Sequence, residues 1–288
     1  MRTTYSCGAG LLLLALTIFA GCRKPPAPPV TSVTVTAAVA APADPDDPAW
    51  KTTPEYVAQL VPQDLVEPRQ MSVSTPEVRV KSIRSETEVS FRLQWDDNTP
   101  NDLADPGRFC DACAVQLPQQ IGPTVPAPQM GEAAGGVEIT FWSAGWQAVV
   151  DGRGDSIQDV YPQAAVDHYP FQAKPLEKDP AAQSEMTLLY APARALGNKM
   201  AGPRQTPVQD LVAEGPGSIA PAPSTTSKGQ GRRTAAGWAV VITRRLPEGL
   251  LTTPNPQVAF AVWDGDKHEV GARKMRTGWI AMTIKESP

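Results

Sequence analysis

The sequence predicts an all-β fold: an antiparallel β-sandwich with long loops and one short helix. Three observations predict it. Apolar residues recur at every second position in short runs, the period of a strand with one buried face. Clusters of Gly, Pro, Asn and Asp separate those runs. The chain also carries 31 prolines and 22 glycines in 288 residues, a composition that suits many short strands joined by loops.

The elements follow in chain order. Residues 1–21 read as an export signal: Arg2 is a positive start, and residues 11–20 form an apolar run too short to cross a bilayer of ~30 Å as a helix. Phe19-Ala20-Gly21 then places small residues before Cys22. This resembles a bacterial lipoprotein signal, in which Cys22 becomes lipidated. At about 0.8 kcal/mol per buried CH2, two or more acyl chains anchor a protein stably. The expectation is a protein on the periplasmic side, held to a membrane by lipid. Residues 22–49 are rich in Pro, Ala, Val and Thr and are expected to form a disordered tether. Residues 50–288 then form the folded domain.

Within that domain Val89, Phe91, Leu93 and Trp95 alternate with Glu88, Ser90, Arg92 and Gln94, and Val78 and Val80 mark a strand before them. Further strands are expected at 114–117, 137–142, 186–190, 238–243, 258–263 and 279–284. The short helix is expected at 206–215. Thr206 would cap it, Pro207 would take its first position, Gln209 would complete a capping box, and Gly215 would stop it. Long loops at 98–108, 118–136, 151–184 and 215–235 are where function would sit.

Several functions are excluded. The net charge is −4 and no basic run marks a nucleic-acid footprint. There is no GxSxG, Walker or GxGxxG signature, so no catalysis by this chain is expected. The two histidines, His168 and His268, are expected to be structural or at the surface. Asp96, Asp97, Asp102 and Asp105 surround Asn98 in an acidic loop whose hard oxygens suit Ca2+. Without EF-hand spacing a solvated loop is the expectation. Cys110 and Cys113 form CxxC, but Ala114 stands where c-type haem attachment needs histidine. Two thiols are too few for a closed zinc site. On a strand they point to opposite faces, so a disulfide and two free thiols both remain open. The seven tryptophans are expected in the core. An exposed aromatic platform would instead make the chain a carbohydrate- or surface-binding sandwich without haem.

One ordered set of segments goes further: Phe91-Arg92-Leu93-Gln94-Trp95-Asp96-Asp97-Asn98, Asp111-Ala112-Cys113-Ala114, Met130-Gly131, Val137-Glu138-Ile139-Thr140-Phe141-Trp142, Val166-Asp167-His168-Tyr169-Pro170, Asp210-Leu211-Val212-Ala213-Glu214-Gly215, Trp263-Asp264-Gly265 and Arg273-Lys274. In these the chain resembles the haem b-binding γ subunit of type II DMSO reductase-family molybdoenzymes, such as ethylbenzene and dimethylsulfide dehydrogenases and chlorate and selenate reductases. The resemblance implies one non-covalent haem b whose iron takes Met130 and Lys274 as axial ligands. It also implies electron relay between iron–sulfur and molybdopterin subunits and a soluble cytochrome c. Met275 follows Lys274 directly. Because only one of two neighbours on a strand faces the haem, Met275 stays open as the alternative ligand. Lys267, in the hairpin turn, is the weaker lysine.

Overall fold

Strand β5 (Glu88–Asp96) shows how the alternation becomes a layer: Val89, Phe91, Leu93 and Trp95 are buried, while Glu88, Arg92 and Gln94 reach toward solvent. The computed structural model describes residues 30–286 except 106, 121–123, 155–158, 160, 164–177, 191–195 and 198–203. Cys22 and His168 therefore lie outside the described residues. The other strands are β1 (Val33–Ala37), β2 (Tyr56–Gln59), β3 (Val61–Pro62), β4 (Glu77–Arg84), β6 (Ala112–Pro118), β7 (Val137–Ser143), β8 (Val208–Ala213), β9 (Ala220–Pro221), β10 (Lys228–Arg233), β11 (Gly237–Arg245), β12 (Gln257–Trp263), β13 (Met275–Arg276) and β14 (Ile280–Ile284). Two helices stand among the described residues, α1 (Ala144–Val150) and α2 (Pro180–Tyr190).

The strands form two facing layers, as expected. One runs β10-β11-β5-β4 and the other β14-β12-β6-β7-β8-β9. Their inner faces meet through aromatic edges. Phe91 meets Phe260 at 6.0 Å between centroids, and Trp142 meets Trp95 at 6.4 Å and Trp238 at 5.2 Å. β10 has glycine where Trp142 presses against it: a Cβ on Gly231 would lie 2.2 Å from the indole. The sequence alone places residues 228–233 in the long loop expected at 215–235.

Strand β1 joins the layers, pairing parallel with β4 on one side and β14 on the other; every other strand pair is antiparallel. Over residues 33–49 this corrects the tether expected at 22–49; residues 22–29 lie outside the described residues. Val33 and Val35 are buried in the core, and Trp50 is buried in a 3-10 turn, Pro48–Lys51, with its indole donating to the Asp44 carbonyl at 2.9 Å. Two β-branched residues at period two suffice for a central strand once both neighbours supply hydrogen bonds.

Two other expectations fail. The helix expected at 206–215 is strand β8. Its capping signals are local, whereas six residues pair with β7 from Trp142↔Val208 to Val137↔Ala213. The Asp210 carboxylate also accepts from the Thr226 and Ser227 amides and the Thr140 hydroxyl, which binds β8 to its neighbours. The strand expected at 186–190 lies in α2, which the Asp179 carboxylate starts by accepting from the Ala181 amide at 2.9 Å, with Pro180 at its first position.

Candidate functional site

Strands β6, β7, β8 and β12 bury one face against the other layer. Their opposite face carries a second apolar cluster: Ala112, Ala114, Val137, Ile139, Leu211, Ala213, Ala261 and Trp263. Register sets Ala114 beside Ala261 on one side and Phe141 on the other, and Ala112 beside Trp263. The result is a floor of methyl groups with aromatic walls. Phe141 packs edge-on against Trp263 at 5.2 Å and Trp146 at 5.4 Å.

Met130 packs over this floor. Its loop is pinned from three directions: Gln116 of β6 donates to the Pro128 carbonyl at 3.0 Å, the Trp279 indole donates to the Pro126 carbonyl at 2.6 Å, and the Gly215 amide donates to the Met130 carbonyl at 2.9 Å. Met130 has φ +72° and Gly131 φ +79°. The left-handed backbone is uncommon for a side chain like that of Met130, and such strain collects at functional sites. Gly131 cannot be replaced, because a Cβ would also lie 2.9 Å from the Gly135 carbonyl.

Lys274 comes to the same floor from the other side. Its carbonyl accepts from the Gln63 amide at 3.0 Å, which fixes the backbone just before β13. Its Nζ lies 5.1 Å from the Trp263 ring centroid and donates to the Met130 Sδ at 3.7 Å. Among the described residues no carboxylate pairs with it. Burial, reinforced by the positive charge of Arg276, pushes the ammonium down to about 8. An amine and a thioether, 144 residues apart in sequence, thus face each other in an apolar setting. Both hold lone pairs suited to a transition metal. The small-residue floor and aromatic walls suit a flat macrocycle. The residues present therefore fit a haem.

Met275 points the opposite way. It is fully buried in the core between the layers and pairs with Val262 of β12 and Pro62 of β3. Lys267 is exposed and paired with Asp266. His268 ends a 3-10 turn with φ +56°, its ring edge-on to Phe109 at 6.0 Å. Cys113 is buried in the core and Cys110 half-buried, both as free thiols, and burial pushes the Cys110 thiol up to about 11. The acidic loop disperses: Asp96 pairs with Arg79, Asp102 with Arg153, and Asp105 accepts from the Tyr161 hydroxyl. Only Asp97 turns inward.

The tryptophans divide. Trp95, Trp142 and Trp238 lie between the layers as expected. Trp263, Trp146 and Trp279 belong to the outer face instead, and none of the seven is exposed. The alanine floor was not foreseen. Its signal was present, since Ala112 and Ala114 and Ala259 and Ala261 alternate with bulky residues in their strands.

The chain matches the ethylbenzene dehydrogenase family over residues 47–275, a stretch that holds both Met130 and Lys274. It is 22% identical over 248 residues to a protein of Haloferax mediterranei designated a candidate respiratory nitrate reductase heme subunit, covering 83% of this chain and 67% of that protein. It is 24% identical over 224 residues to the chlorate reductase subunit gamma of Ideonella dechloratans, covering 74% of this chain and 64% of that subunit. The chain thus spans about two thirds of the length of both relatives. Among solved structures, a family 9 carbohydrate-binding module from Caldicellulosiruptor kristjanssonii with glucose aligns over 89% of this chain and 96% of its own, at 8% identity and a TM-score of 0.40.

Proposed function

This chain belongs to the ethylbenzene dehydrogenase family, and from that premise we propose that it is a haem b-binding, electron-transferring γ subunit of a multisubunit oxidoreductase. It catalyses no reaction of its own. Met130 and Lys274 would hold the haem iron. The observation that carries this reading is the 3.7 Å approach of the Lys274 Nζ to the Met130 Sδ over the alanine floor. The orientation of Met275 into the core favours Lys274 as the second ligand.

When bound, the haem iron supplies a site that accepts and releases one electron. The chain's own residues prepare that site. Lysine must lose its proton before it can ligate. From an unperturbed pKa this costs about 4–5 kcal/mol at neutral pH. With Lys274 pushed down to about 8, the remaining cost is on the order of 1–2 kcal/mol, so burial has already supplied most of it. The Met130 thioether is a soft donor that favours the reduced iron. Phe141, Trp146 and Trp263 exclude water from the floor, and the pinned 126–131 loop holds the sulfur in place. The partners are iron–sulfur and molybdopterin subunits on one side and a soluble cytochrome c on the other.

No helix among the described residues is long and apolar enough to cross a membrane. Attachment is proposed to run through a lipid on Cys22 after export to the periplasmic side. Absorption spectra of purified protein test the site. The unmodified chain is expected to show a low-spin b-type spectrum that Met130→Ala and Lys274→Ala each abolish. An unchanged spectrum in either variant removes that residue as a ligand. Cys22→Ser is expected to shift the protein from the membrane to the soluble fraction.

A further inference from the structure

Beyond the alanine floor, three carboxylates from distant parts of the chain converge. Oxygens of Asp97, just after β5, Asp111, just before β6, and Asp264, just after β12, all lie within 4.8 Å of one another. Asp111 is fully buried and Asp97 is 7% exposed. Asp264 is half-buried and leaves an approach from solvent.

The hydrogen bonds at the cluster do not balance this charge. Asp111 accepts from the Gly265 and Asn101 amides and the Trp238 indole at 2.8–2.9 Å. Asp264 accepts from the Asp266 and Lys267 amides. Asp97 spends its Oδ1 on Thr99, and its buried Oδ2 has no hydrogen-bond partner. The nearest cation, the Arg233 Nη1, stands 3.8 Å from that oxygen, beyond hydrogen-bond reach. Its guanidinium is engaged elsewhere, donating to the Asp97 carbonyl and lying over the Trp238 ring. The other charges nearby are committed: Lys267 to Asp266, Asp96 to Arg79, and Glu269 to Gln70, Ser74 and the Asp264 amide. Three carboxylates therefore share the Arg233 guanidinium and the charge of Lys267, itself paired with Asp266, and one buried oxygen of the cluster keeps its lone pairs free. Buried charges left in that state are costly unless paired or bound to a metal.

We propose that Asp97, Asp111 and Asp264 bind one divalent hard cation, Ca2+ in preference to Mg2+. Ca2+ accepts 6–8 oxygens at about 2.3–2.6 Å, so its shell spans up to roughly 4.6–5.2 Å, and the cluster lies inside that limit. Mg2+ holds its oxygens closer and keeps most of its waters, with one or two carboxylates. The Asp111 Oδ1 accepts only the Gly265 amide and keeps a second lone pair. Both Asp264 amide bonds fall on its Oδ1 and leave its Oδ2 to the ion, and water through the Asp264 side completes the shell. The ion would tie the loop after β5, the start of β6 and the 264–269 turn into one unit.

Isothermal titration calorimetry of the chelator-stripped full chain with CaCl2 tests this. The expected result is one Ca2+ per chain, binding at least tenfold tighter than Mg2+ and at least tenfold tighter than in Asp97→Asn. No heat of binding, or equal affinity in Asp97→Asn, overturns the site in favour of a cluster neutralised by protons. Should that variant not fold, Tb3+ emission sensitised by tryptophan in the unmodified chain decides alone, because the Trp238 indole touches Asp111. Emission that Ca2+ displaces supports the site, and its absence overturns it.

Discussion

Strands β6 and β12 have two faces that differ in one respect, side-chain size. Facing the other layer are Cys113, Val115, Leu117, Val258, Phe260 and Val262, all buried in the main core. Facing away are Ala112, Ala114, Ala259 and Ala261, with Trp263 at the end. Both faces are apolar and both are covered. The first is filled to the density of a core, where every methylene counts. The second is built of methyl groups, and it is the face on which an amine and a thioether meet. Apolar character alone therefore does not separate core from site here; the volume of the side chains does. Lys274 and Met275 repeat the contrast within one dipeptide, one turned to each face.

Substitutions on the two faces should separate stability from haem binding. The largest stability loss is expected for Phe260→Ala, on the order of 3–5 kcal/mol in denaturant unfolding, since its ring fills the space against Phe91. The remaining folded protein should keep its haem spectrum, and a spectrum lost before unfolding would show that the faces are not independent. Met275→Ala should cost about 2–5 kcal/mol and leave the low-spin spectrum in place. Disappearance of that spectrum in fully folded protein would make Met275 the ligand and overturn the assignment to Lys274.

Lys274→Met should act in the opposite sense on haem-free protein. The Lys274 ammonium is pushed down from 10.5 to about 8, so between these values the unfolded chain binds the proton more tightly than the folded one. The destabilisation is full below pH 8 and fades as pH rises toward 10.5. At pH 7 the variant is expected to be more stable than the unmodified haem-free chain by on the order of 1–3 kcal/mol, and the difference should vanish near pH 10.5. An advantage that does not change with pH would mean that burial of the charge is not its source. The smallest stability effect is expected for Ala114→Leu on the floor, within about 1 kcal/mol. Haem uptake, followed by absorbance, should nevertheless fall at least tenfold as the added side chain takes up the space above the floor.

The fold was largely legible in the sequence. The runs around Val89 to Trp95, at 137–142, 238–243 and 258–263 all became strands, because period two is a local property that pairing reinforces. Met130 and Lys274 were singled out in the sequence by the ordered segments around them, and the fold brings their side chains together. Three features were not. The tract from Val33 to Ala37 looked like tether, and it became a strand only because β4 and β14 flank it. Thr206 to Gly215 had the caps of a helix, and pairing along β7 outweighed them. The acidic loop after β5 held one inward carboxylate, and its companions Asp111 and Asp264 come from other strands.

The sequence by itself determined which residues can form strands, which atoms can ligate a metal, and that alanines alternate with bulky residues along β6 and β12. These follow from side-chain chemistry and from the two-residue repeat of extended backbone. Tertiary structure alone decided which face each alternating set occupies, that the Lys274 side chain rather than that of Met275 reaches Met130, and that three distant aspartates meet. The reason is physical: a strand's direction and register are set by its hydrogen-bonded neighbours, and a shift of one residue would exchange the two faces.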